Sequence, residues 1–185
     1  MPEQFLHGIE VVEIPDGARP ISTVKSSVIG LIGTAPTADA EAFPINTPVL
    51  IAGRRTEAAK LGTNGTLPAA IDGIFDQCGA MVVVVRVEEG VAAEASGNTP
   101  AITVAAATLS KVIGGVNAAT GRNEGLQCFL DANSVVKVRP RILIAPGFSH
   151  ELAVGTEMMS IAASLKAVCI LDGPNTTDAD AISYA

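Results

Sequence analysis

Residues Met81–Val87 read Met-Val-Val-Val-Val-Arg-Val, an almost unbroken β-branched run. Nothing in it alternates apolar with polar, so neither face of such a strand is made for water. A strand of this kind belongs inside a sheet that helices cover on both sides. The rest of the chain supplies further short apolar runs at Ser27–Ile32, Pro48–Ala52, Arg141–Ala145 and Ala167–Leu171. Helical patterns fall between them. A short helix is expected around Thr56–Leu61. A second follows Thr66, with Ala70, Ile71, Ile74, Phe75 and Cys78 on one face. Leu126, Phe129, Leu130 and Asn133 mark another short helix. After Ser149 a long helix turns Val154, Met158, Ile161, Ala162 and Leu165 to one side. Thr66 and Ser149 are the expected N-caps of their helices, and Thr177 opens a last helix.

Alternating strands and helices define an α/β class, here a mixed sheet flanked by helices. The main domain is expected over residues 26–185. Residues 90–125 are rich in Ala, Gly, Thr and Ser and are the least legible part. They read as an insertion, with short strands at Ile102–Ala105 and Val112–Ile113. The final helix has barely begun when the sequence stops, which is the pattern of an incomplete, truncated domain or of one whose remaining strands come from elsewhere.

Hydrophobic residues make up 48% and charged residues 17% of the 185 positions, enough for a packed core and too apolar for disorder. The net charge of −7 argues against nucleic acid and against an anionic membrane surface, since both need clustered Lys and Arg. No stretch approaches 18 consecutive apolar residues, so no direct membrane insertion is expected. Cys78, Cys128 and Cys169 are odd in number and far apart, which fits neither a disulfide framework nor a metal knuckle. Cys78 and Cys169 read as small core residues, and a reducing compartment suits the three thiols.

The catalytic inventory is thin. Gly30-Leu-Ile-Gly33 follows an apolar run, as phosphate loops do, but it is not GxGxxG and no GK[ST] follows. Pro36 stands where a phosphate-binding helix would begin, so a strand end with a tight turn is the better reading. Pro146-Gly-Phe-Ser-His150 places Ser149 and His150 at a strand-to-helix turn, without the glycine spacing of a nucleophile elbow. Asp172 follows a strand, with no second carboxylate of matching context to share a metal. His7 and His150 are the two histidines and form no ligand pattern. No catalytic, cofactor-binding or metal residues are therefore expected.

Residues 1–25 differ from the rest and read as an extended N-terminal arm. Gly8, Ile9, Glu10, Val11, Val12, Glu13 and Ile14 form an imperfectly alternating strand with a polar face. Pro15, Asp16 and Gly17 make a turn, and Arg19-Pro20 keeps the chain extended. A lone strand cannot bury itself. It must join a sheet, in its own chain or in a neighbour.

Four stretches occur together and in order: His7–Pro20, Ser26–Pro36, Arg141-Ile-Leu-Ile-Ala-Pro-Gly147 and Ile170-Leu-Asp-Gly-Pro-Asn175. In this combination the chain resembles the tail sheath proteins of contractile phage tails and related injection machines such as R-type pyocins. The resemblance implies a virion tail subunit, assembled in the bacterial host cytoplasm. It implies a homo-oligomer stacked around an inner tail tube protein and joined to a baseplate. Gly8–Ile14 would be the strand donated to a neighbouring subunit, and Pro15, Asp16, Gly17, Arg19 and Pro20 the hinge. Another tail or baseplate component of the same fold is the alternative, ahead of an α/β hydrolase or a nucleotide-binding enzyme. Family members run longer than this chain.

Overall fold

The computed structural model describes residues 27–93 and 103–184. In chain order the elements are β1 (Ile29–Thr34), β2 (Pro48–Ala52), α1 (Arg55–Ala58, continued by a 3-10 turn at Ala59–Leu61), α2 (Thr66–Gln77) and β3 (Met81–Val87). After these come α3 (Val104–Ile113), β4 (Gly115–Val116), β5 (Asn123–Glu124) and a 3-10 turn at Gly125–Gln127 that leads into α4 (Cys128–Val135). The last elements are β6 (Ile142–Ile144), α5 (Leu152–Leu165), β7 (Val168–Ile170) and α6 (Asp178–Tyr184).

Five strands form one sheet in the order β2-β3-β1-β6-β7. β3, β1, β6 and β7 run parallel, and β2 pairs antiparallel with β3 at the edge. β4 and β5 make a separate two-stranded ribbon. The fold is the mixed α/β sheet flanked by helices that the sequence predicts. β3 is buried on both faces, as its composition requires. Val82 and Val84 join Leu31, Ile51, Leu61, Leu67, Ile71 and Phe75 in a core under α1 and α2. Val83, Val85 and Val87 join Ile32, Val112, Phe129, Leu143, Val154, Met158 and Leu165 in a second core under α3, α4 and α5. Each such side chain taken wholly out of water contributes about 1.5–3 kcal/mol before entropy is charged against it.

β1 lies between these cores, and its two glycines are packing devices. A Cβ on Gly30 would stand 2.7 Å from Leu143 Cδ2 and 3.0 Å from Phe129 Cε1. On Gly33 it would stand 2.2 Å from Thr66 Oγ1. The strand does not stop at Gly33 in a tight turn but runs on to Thr34. The first turn of α2 presses on it there, and Thr66 Oγ1 accepts the Thr34 N–H at 3.1 Å. A phosphate would need that N–H and that space. Both are already used.

Thr66 is thus not the N-cap of α2. That position belongs to Gly65, at φ 100, where a Cβ would meet the Thr34 carbonyl oxygen at 2.2 Å. Ser149 is likewise not the cap of α5; Glu151 holds that place without a side-chain bond. Thr177 does cap α6, its Oγ1 accepting from the Asp180 N–H at 3.3 Å. Of the expected strands at Ile102–Ala105 and Val112–Ile113, Ile102 lies outside the described residues, while residues 104–105 and 112–113 belong to α3. Thr103 caps it through the Ala106 N–H at 3.2 Å, and Thr108 and Val112 are its buried residues. Three consecutive alanines favour a helix there, and the i, i+4 spacing of Thr108 and Val112 outweighs the β-branched ends.

Two glycine substitutions should separate close packing from flexibility. Gly33→Ala should lower stability by about 1–3 kcal/mol through the clash with Thr66. Gly73→Ala, in an exposed part of α2 with nothing within 4 Å of the new Cβ, should raise it by about 0.8–1 kcal/mol. Urea melts of the two variants against the parent check both signs.

Candidate assembly surface

The predicted arm residues Gly8–Ile14 and hinge residues Pro15, Asp16, Gly17, Arg19 and Pro20 lie outside the described residues. What the structure places is the sheet such a strand could join. Its edges differ. β2 begins at Pro48, which has no N–H to donate, and its Pro48 and Ile51 are buried. β7 is bonded on one side to β6, with Val168 opposite Ile142, Cys169 opposite Leu143 and Ile170 opposite Ile144. Among the described residues no strand takes its other side.

The face beside that edge is also bare. α1 and α2 cover the β2, β3 and β1 part of the sheet. Beyond β1 the same face continues as Ile142, Ile144, Val168 and Ile170, because parallel partners point to the same side. Val168 is 66% exposed and Ile170 56%. These apolar side chains border an unpaired backbone edge, the combination that invites an added strand. The sequence pattern missed this. A run of three apolar residues looks the same whether a helix covers it or not.

Around the corner lies a groove of about 350 Å3, lined by Leu152, Gly155, Thr156, Met159, Leu171, Gly173, Ala181 and Tyr184. α6 forms one wall and has no buried residue of its own. Tyr184 fixes it, the phenol donating to the Ser149 carbonyl. Ser149 itself is 2% exposed. Its hydroxyl donates to Asp172 Oδ2 at 2.7 Å and accepts the Asp172 N–H at 3.2 Å. This clamp joins the loop after β6 to the loop after β7. It also consumes the one serine placed like a nucleophile. His150 does not approach that hydroxyl as a base; its Nε2 lies 3.5 Å from Glu151 Oε1.

The cysteines divide by position. Cys78 is exposed and Cys169 half-buried, so neither is the fully enclosed core residue the sequence implies. Cys128 is buried, its Sγ 3.1 Å from the Asn123 carbonyl and 3.3 Å from that of Asn46. Burial first, and then the charges of Asp131 and Glu124, push its thiol up to about 12. A thiol so held is a poor nucleophile. Among the described residues no group of His, Cys, Asp and Glu is placed to hold a metal, and no helix is long and apolar enough to cross a membrane.

Fold and surface together define an α/β domain with an open, apolar sheet edge and no catalytic set assembled among the described residues. Residues 26–87 match the family described as the tail sheath protein Gp18 domain III N-terminal region. The chain is 41% identical over 182 residues to a prophage major tail sheath protein of Pseudomonas aeruginosa (strain UCBPP-PA14), covering 98% of this chain and 44% of that protein. It is 40% identical over 164 residues to the tail sheath protein of Escherichia phage P2, covering 88% and 39%. With the major tail sheath protein of Serratia phage KSP20 it shares 36% over 167 residues, covering 90% and 40%. The chain belongs to the tail sheath protein family. It spans less than half the length of these relatives.

Two measurements follow from the buried groups. Ser149→Ala leaves the Asp172 carboxylate and N–H without their shared partner, and a urea melt should show a loss of about 1–3 kcal/mol. For Cys128 the folded value lies above the ordinary 9.0, so its contribution is whole below pH 9 and is lost as pH rises towards 12. Between these limits the parent should lose more stability than Cys128→Ala does. Parallel curves for the two proteins would refute this.

Proposed function

We propose that the chain is a structural subunit of a contractile tail sheath, self-assembling around an inner tube through donated strands. The observation that carries this reading is the agreement with tail sheath proteins across nearly the whole chain. The open edge of β7 gives it a physical route. In this reading residues 1–25 are the arm and hinge, residues 26–185 the domain, and 90–125 a layer inserted into it. Gly8–Ile14 of one subunit adds to a neighbour's sheet at β7. Backbone hydrogen bonds supply affinity there, and the alternation of the arm's side chains supplies register. Pro15, Asp16, Gly17, Arg19 and Pro20 let the arm change direction while its strand stays paired.

Many such links make weak contacts collectively strong. Contraction then repacks subunits without breaking the mesh and drives the tube into a target cell. The energy is stored in the assembled lattice and is not supplied by a nucleotide. The subunit works in the virion tail, after assembly in the host cytoplasm, with the tube protein and the baseplate as its other partners. It acts as a structural protein and not as an enzyme.

The test uses the sheath protein that carries this chain. Deleting residues 1–14 should abolish long hollow cylinders in electron micrographs and leave the circular dichroism spectrum of a folded domain. Val168→Lys with Ile170→Lys should give the same result with the arm intact. Cylinders of normal length from the deletion would overturn the arm role. Normal cylinders from the double variant alone would move the arm to another edge. Small discrete rings from the parent would point to a different tail or baseplate component.

A further inference from the structure

β3 lies on one side of β1 and β6 on the other, so the strand order reverses at β1. Open α/β sheets leave a crevice at the carboxyl ends of the strands at such a point. That crevice belongs to the β1 and β6 ends; beside it, at the carboxyl ends of β1 and β3, opens a separate hollow of about 230 Å3, lined by Ala35, Pro36, Ile45, Arg86, Glu88 and Glu89 along with Val87. Arg86 is its unusual member. It sits in β3 opposite Gly33 and is 8% exposed. Its Nη1 donates to the Ala35 carbonyl at 3.2 Å. Its Nε is buried and, among the described residues, has no hydrogen-bond partner. None of the ion pairs among those residues includes Arg86.

A buried donor without an acceptor is costly, and more so when it carries charge. Nε and the terminal nitrogen beside it form the side-on fork that matches the two oxygens of a carboxylate. Nη1 points the other way, to Ala35, so the unused side of the guanidinium is that fork. Ordinary small-molecule pockets occupy about 300–1,000 Å3. This hollow is smaller and suits one inserted side chain better than a nucleotide. Glu88 and Glu89 stand exposed at its mouth. They repel a free anion, but they welcome a carboxylate that arrives with basic neighbours.

From this we infer that the hollow beside Arg86 is a binding site for a carboxylate, delivered as an acidic side chain on a protein segment that also carries basic residues. The stretch Arg54-Arg55-Thr-Glu57, with its arginines exposed and Glu57 half-buried, has that charge pattern; Arg54 Nη1 is already 3.3 Å from Glu57 Oε1 and Arg55 Nη2 2.6 Å from Asp76 Oδ1. A second copy of the chain can therefore supply the ligand.

Nitrogen-15 NMR of this chain tests the inference at the atom concerned. The Nε–H resonance of Arg86, assigned by its loss in Arg86→Lys, should shift saturably with sodium acetate and not with sodium chloride at equal ionic strength. Glu88→Gln with Glu89→Gln should tighten acetate about threefold by removing charge from the mouth. If a second copy is the source, the same resonance shifts with protein concentration alone, and Glu57→Gln removes that dependence. A response to acetate without one to concentration assigns the carboxylate to a different protein segment. An equal response to chloride, or none to acetate and none to concentration, would overturn the site and leave Arg86 as a strut for Ala35. Should Arg86→Lys not fold, the glutamine pair decides alone, and an unchanged acetate affinity refutes the proposal.

Discussion

Everything in this domain depends on the burial of the central strands from both sides. β3 presents Val82 and Val84 to one core and Val83, Val85 and Val87 to the other. Neither set can be left in water without losing several side chains' worth of apolar burial. Helices must therefore be carried to both faces, and right-handed crossovers from parallel strand to parallel strand are how a chain does so. β1, next to β3, completes the same two cores with Leu31 on one side and Ile32 on the other. Its glycines let the helices come close. Gly33 brings Thr66 within hydrogen-bonding reach of the strand, and Gly30 admits Leu143 and Phe129.

That closeness also explains why a sheet end that resembles a phosphate loop does not work as one. A phosphate site at a helix N-terminus needs free backbone N–H groups and room for the anion. Thr66 occupies the room and takes the Thr34 N–H. The same economy holds at the other strand end, where Ser149 is spent on Asp172 and its peptide carbonyl on Tyr184. Polar groups that could have been reactive are instead tying loops together.

The coverage is unequal, and the inequality points outward. α3, α4 and α5 fill one face, whereas α1 and α2 fill only part of the other. The uncovered part is apolar and ends at β7, whose outer edge no strand takes among the described residues. In a monomer such an edge is a hazard. In the proposed sheath subunit it is the place where a donated strand would complete the sheet.

The long strands and helices were legible in the sequence because their signals are local. Pro48–Ala52 and Met81–Val87 have the bounds that composition predicts, and the α5 face of Val154, Met158, Ile161, Ala162 and Leu165 is the buried one. α3 was not legible, because β-branched residues at both ends hid an alanine-rich helix. Nor were the roles of Thr66 and Ser149, whose partners lie 32 and 23 residues away. By itself the sequence determined the class: two-sided apolar strands, helical faces of matching period, and the four ordered stretches that resemble tail sheath proteins. Only the tertiary structure decided which surface the described residues leave uncovered and which guanidinium lacks a partner among them. Periodicity records which residues prefer to leave water. What covers them depends on where distant helices come to rest, and that is settled by packing.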